Sequence, residues 1–128
     1  MNTVMIIALT LLGEARGEGD GGMYRVGCVI QQREINRGIS PSKVCLQSGF
    51  VKGRRIHQFS CWNGRGPSSD AAPEAMRIAK LIANGTPLRR KTVGYADHYC
   101  TVKLNPKWAK GQKPVAVYRN HKFYKLRP

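Results

Sequence analysis

No lysine or arginine precedes Arg16, so the chain lacks the charged opening of a secretory signal. The apolar stretch from Val4 to Leu12 is too short to cross a membrane. None of the four cysteines, Cys28, Cys45, Cys61 and Cys100, stands in a C-x-x-C pair, which removes the usual structural zinc spacing. Nothing calls for a metal or an organic cofactor. Acids are scarce: 7 Asp plus Glu stand against 22 Lys plus Arg, a formal charge of +15. Such a surface attracts polyanions, whether nucleic acid, anionic lipid or acidic envelope polymers. Zinc-finger spacing, an RNP-like aromatic motif and a heptad-plus-basic region are all missing. The basic residues are scattered, with Arg89, Arg90 and Lys91 the densest cluster. A basic nucleic-acid-binding module is therefore the less favoured alternative, and no stable nucleic-acid complex is expected.

What is present suits one domain over residues 1–128, long enough to bury a core. Asn2 to Arg16 reads as a helix, closed by Gly17, Gly19, Gly21 and Gly22. Met23 to Ile35 reads as a second, with Met23, Val26, Val29 and Ile30 as its apolar stripe and Gly38 as its end. A short helix follows Pro41, with Val44 and Leu46 expected inward. Gly49 to Gly66 reads as a basic loop. Ser69 or Asp70 caps a helix from Ala71 to Asn84, which Gly85 stops. Pro87 to Leu104 reads as irregular, with Tyr95 to Cys100 as its patterned part, and Val115 to Leu126 as a small hairpin turning at Arg119-Asn120. The expected class is α+β, mostly α, with a small β-hairpin lobe. Cys28 reads as a buried thiol, and Cys45 and Cys61 flank a loop across which an oxidising setting would let them pair.

The segment GEARGE, Gly13 to Glu18, places two carboxylates where an apolar helix gives way to glycines. Glu14 follows Ile6, Ile7, Ala8, Leu9, Leu11 and Leu12, which puts it on the last turn of a buried helix. A carboxyl group held against apolar surface resists ionisation. A carboxyl that keeps its proton near neutral pH is what general-acid cleavage of a glycosidic bond needs. Glu18 shares that helical face if the helix continues. Four further segments set aromatic or histidine residues beside polar ones: His57 to Trp62, Asp97 to Tyr99, Pro106 to Ala109, and Asn120 to Tyr124.

In this order the segments resemble the SleB/CwlJ-type cell wall hydrolases over nearly the whole chain. Ile7 to Glu18 is similar to that family's opening helix ending in GEAR-x-E, and Val26 to Arg33 to its apolar helix ending in Asn-Arg. Pro41 to Cys45, Gln58 to Trp62, His98-Tyr99, Pro106 to Ala109 and His121 to Tyr124 follow. Gln32 stands where the family has Asn, Gly19 to Gly22 replaces a Pro-aromatic stretch, and Lys52 to Arg55 has no counterpart. The resemblance implies a lysozyme-like or lytic-transglycosylase-like domain that cleaves between N-acetylmuramic acid and N-acetylglucosamine in peptidoglycan. It assigns the catalytic glutamate to Glu14.

Two outcomes of that cleavage stay open. A lytic transglycosylase needs one carboxyl, and the sequence leans this way. A muramidase needs a second, for which Glu18 and Asp97 are the candidates. Trp62, Tyr99 and Trp108 are candidates for sugar stacking, and Gln58, Ser60 and His98 for polar contacts. The expected partners are glycan strands and, through the basic surface, anionic envelope polymers, with the protein a monomer. Without a signal peptide it is expected to be made in a host cytoplasm and released to the wall, as a phage endolysin is.

Overall fold

The computed structural model describes residues 1–64 and 72–126, with Arg16 described by its backbone alone. Helix α1 spans Thr3–Ala15, and the Asn2 side chain caps it by accepting from the Met5 N–H at 2.8 Å. Ile7 to Leu12 are buried without interruption, so α1 is enclosed on all sides and forms the axis of the core. Helix α2, Gly19–Arg37, presents Met23, Val26, Val29 and Ile30 to that core and ends at Gly38, whose φ of 63° only glycine adopts without strain. Helix α4, Pro73–Ala83, closes the core with Ala75, Ile78, Ala79 and Ile82. Its proposed caps, Ser69 and Asp70, lie outside the described residues.

Three expectations need correction. The glycines after Gly17 do not all form a break: Gly19, Gly21 and Gly22 belong to the first turn of α2. Helix α3, Pro41–Leu46, buries Pro41, Val44 and Cys45 and leaves Leu46 exposed, because spacings of three and four, not two, share a helix face. The expected loop from Gly49 contains a hairpin, β1 (Ser48–Val51) paired with β2 (Arg54–His57). Lys52 and Gly53 both have positive φ at its turn, which suits a two-residue hairpin.

The second sheet has the antiparallel order β3-β5-β4, with β3 at His98–Thr101, β4 at Ala116–Tyr118 and β5 at His121–Tyr124. The β4–β5 hairpin turns at Arg119-Asn120, as expected. Register pairs Tyr99 with Phe123 and Thr101 with His121. The period of two therefore sends these four side chains to one sheet face, and Phe123 there joins the helical core. The molecule is α+β and about half helical, compatible with a small lysozyme-like domain. All four cysteines are free thiols. Cys28 is fully buried, which pushes its pKa up to about 12. Among the described residues no helix is long and apolar enough to cross a membrane.

Candidate active site

The axis helix delivers Glu14 to its last turn, half-buried, where two other segments meet it. The backbone N–H of Cys61, in the 3-10 turn Ser60–Trp62, donates to Glu14 Oε2 at 3.1 Å. The Tyr99 hydroxyl, from β3, donates to Oε1. Burial first, then the adjacent Glu14, raise the Tyr99 phenol well above its ordinary pKa. Tyr99 thus keeps its proton and acts as a donor. Each carboxylate oxygen has a further lone-pair direction, so two bonds leave acceptor capacity for a substrate.

The turn that holds Glu14 is itself pinned to α1. Trp62 Nε1 donates to Thr10 Oγ1 at 2.9 Å, one helical turn ahead of the carboxylate, and Thr10 Oγ1 donates to the Ile6 carbonyl at 2.7 Å. Trp62 packs against the core and lines neither cavity described below. Tyr99 is likewise enclosed by rings, with centroids 5.1 Å from His121, 5.9 Å from Phe123 and 6.4 Å from Phe59. Its hydroxyl, not a ring face, meets Glu14.

Two adjoining cavities flank this cluster. The first, about 290 Å³, is walled by Glu14, Ser60 and His121 among others. The second, about 270 Å³, adds His98 and Trp108. Arg33, Gln58 and Tyr99 line both. Gln58 Oε1 accepts from Arg37 Nη1 at 2.9 Å, which fixes its amide. Trp108 packs edge-on against Tyr124 at 5.3 Å and beside His98 at 5.0 Å. It is 36% exposed, so part of its indole stays open to a ligand.

The two other acids point elsewhere. Asp97 is 2% exposed: its Oδ1 accepts from the Leu126 N–H and meets His98 Nδ1, both at 3.0 Å, and Oδ2 accepts from Asn36 at 3.2 Å. These bonds tie α2, the start of β3 and the segment after β5 together. Glu18 Oε2 accepts from the Asn120 N–H at 3.4 Å and braces the β4–β5 turn. Neither lines either of these two cavities. His98 is held below its ordinary pKa by burial, against the pull of Asp97.

Sequence reasoning passed over Arg33 and His121 as site residues. Arg33 follows Val26, Val29 and Ile30 at helical spacing, so a cation on the apolar stripe was the available signal. His121 lies on β5, where all four residues are buried, and burial lowers its pKa. Its Nδ1 is buried without a partner among the described residues. Among the described residues no group of His, Cys, Asp and Glu forms a metal cluster.

A family model described as Cell Wall Hydrolase matches residues 17–124. Gln58, Ser60, Trp62, Asp97, His98, Tyr99 and Trp108 fall inside the match, and Glu14 lies just ahead of it. No curated protein and no solved structure matches the chain.

Proposed function

The chain belongs to the cell wall hydrolase family, and from that premise we propose that it is a lytic transglycosylase of peptidoglycan with Glu14 as its general acid and base. Peptidoglycan degradation follows from the family; the lining of the cleft supports the particular chemistry. The observation that carries it is that, among the described residues, Glu14 is the one carboxylate lining either cavity. An inverting or retaining hydrolysis uses two carboxylates flanking the scissile bond. Glu18 and Asp97 are engaged with the backbone elsewhere.

In the proposed reaction Glu14 gives a proton to the glycosidic oxygen as the C1–O bond breaks, releasing the N-acetylglucosamine hydroxyl. The muramic acid 6-hydroxyl then bonds to C1 and returns its proton to Glu14, leaving a 1,6-anhydro end. No water is consumed. Tyr99 and the Cys61 N–H steady the carboxylate while its charge changes. Gln58, Ser60 and His98 offer polar contacts to sugar, and Trp108 a stacking face. The basic surface gathers the enzyme on anionic envelope polymers. The same proposal sets the protein as a phage endolysin, and a bacterial gene neighbourhood without phage genes would overturn that part.

Mass spectrometry of digested sacculi tests the chemistry: anhydro-muramic ends are expected, and reducing muramic ends would overturn it. Glu14→Gln is expected to clear purified peptidoglycan roughly 100- to 10,000-fold more slowly with unchanged circular dichroism. Full activity in that variant removes Glu14 from the role.

A further inference from the structure

Arg33 holds a buried charge that no carboxylate among the described residues bonds. It lies on the core-facing side of α2 and is 6% exposed. Its Nε donates to the Asp97 backbone carbonyl at 2.7 Å, and its Cζ sits 4.9 Å from the centre of the Phe59 ring. These contacts fix the plane of the guanidinium. Nη1 is buried and meets no acceptor among the described residues. The ion pair Arg77–Glu74 and the His98–Asp97 contact leave Arg33 out. Burial and the neighbouring Arg37 lower its pKa to about 10, so the group stays cationic at neutral pH. An oriented cation with unmet hydrogen-bonding capacity is costly, and proteins keep such groups where a ligand completes them. Arg33 lines both cavities beside Glu14.

We propose that Arg33 binds a carboxylate carried by the muramic acid residue of the substrate. That carboxylate belongs either to the bare 3-O-lactyl group or to the stem peptide attached there. Acetamido and hydroxyl groups occur on both sugars and are neutral. A carboxylate marks the muramic residue alone and matches the planar donor edge of a guanidinium. Arg33 would thereby choose which sugar sits beside Glu14. The inference rests on the peptidoglycan reading above.

The test uses glycan strands stripped of peptide by an amidase and strands that keep their peptides. Each is assayed before and after its carboxylates are capped as methylamides by carbodiimide coupling. Assays run at high salt, where exposed charges are screened and a buried pair much less so. Capping is expected to raise KM roughly ten- to hundredfold for the wild type, with kcat little changed. A penalty seen with stripped strands assigns the lactyl carboxylate, and one confined to peptide-bearing strands assigns the stem. Arg33→Gln should raise the uncapped KM to the capped value and erase the difference. Arg33→Lys, which keeps charge without the fork, should retain part of it. Equal KM for capped and uncapped strands in the wild type overturns the inference, even if Arg33→Gln fails to fold. A capping penalty unchanged in a folded Arg33→Gln overturns it too. Cleavage without discrimination sinks this inference alone, whereas no cleavage of any of the four substrates sinks the peptidoglycan reading with it.

Discussion

Because burial and the adjacent Glu14 keep the Tyr99 phenol protonated, Tyr99 is the donor of their hydrogen bond whenever Glu14 is a carboxylate. The donor contributes most when Glu14 is charged, since hydrogen bonds to charged groups contribute about 1.5–3 kcal/mol. Tyr99→Phe deletes that oxygen and keeps the ring that packs on Phe123 and His121. It is expected to lower kcat about ten- to hundredfold, by the same energies, with little change in KM or melting temperature. Activity equal to wild type would remove Tyr99 as a positioning residue. At this scale the sequence singled out both partners by residue type. It left the bond between them invisible, because 85 positions separate them and no local pattern encodes the contact. The same distance hid why Tyr99 offers a hydroxyl and not a stacking face.

The start of α2 differs from what glycine-rich sequence suggests, and the reason lies in close approach. A Cβ on Gly22 would lie 2.2 Å from Glu18 Cβ, and one on Gly21 would lie 2.4 Å from the Tyr118 hydroxyl. These glycines let the Arg16–Glu18 turn and the β4–β5 hairpin press onto the first turn of α2. Glu18 is thereby held where it braces the hairpin. Gly22→Ala is expected to destabilise the fold by about 1–3 kcal/mol through overpacking. Gly17→Ala, where nothing lies within 4 Å, should be nearly neutral. Urea denaturation of both variants checks this, and equal stability would deny the packing role of Gly22. The helices are legible for two reasons: α1 is a continuous apolar run enclosed on all sides, whereas α2 and α4 each bury one apolar stripe. The β1–β2 hairpin escaped because Phe50, Val51 and Ile56 are exposed, so no buried face imposed alternation on it.

Across the whole molecule, burial of imidazoles sets an acid limit on stability. His98 and His121 both titrate below 6.5 in the folded state, chiefly because burial disfavours the charged ring. Above pH 6.5 both are neutral whether the chain is folded or not, and this part of the stability is fully present. As pH falls from there towards the folded values, the unfolded chain takes up protons first and stability is lost. The melting temperature is therefore expected to drop on acidification below 6.5, and to drop less in His121→Gln. An identical pH profile for wild type and variant would contradict this. By itself the sequence determined the helical core, the position of Glu14 at the end of its apolar helix, and the basic surface. These are properties of composition and short-range spacing, which the chain carries before it folds. Only the tertiary structure decided that Glu18 and Asp97 turn to backbone N–H groups, that Tyr99 faces Glu14, and that Arg33 lies buried between two cavities. Those outcomes depend on which distant segments come together, because a carboxylate or guanidinium takes its partner from its neighbours in space.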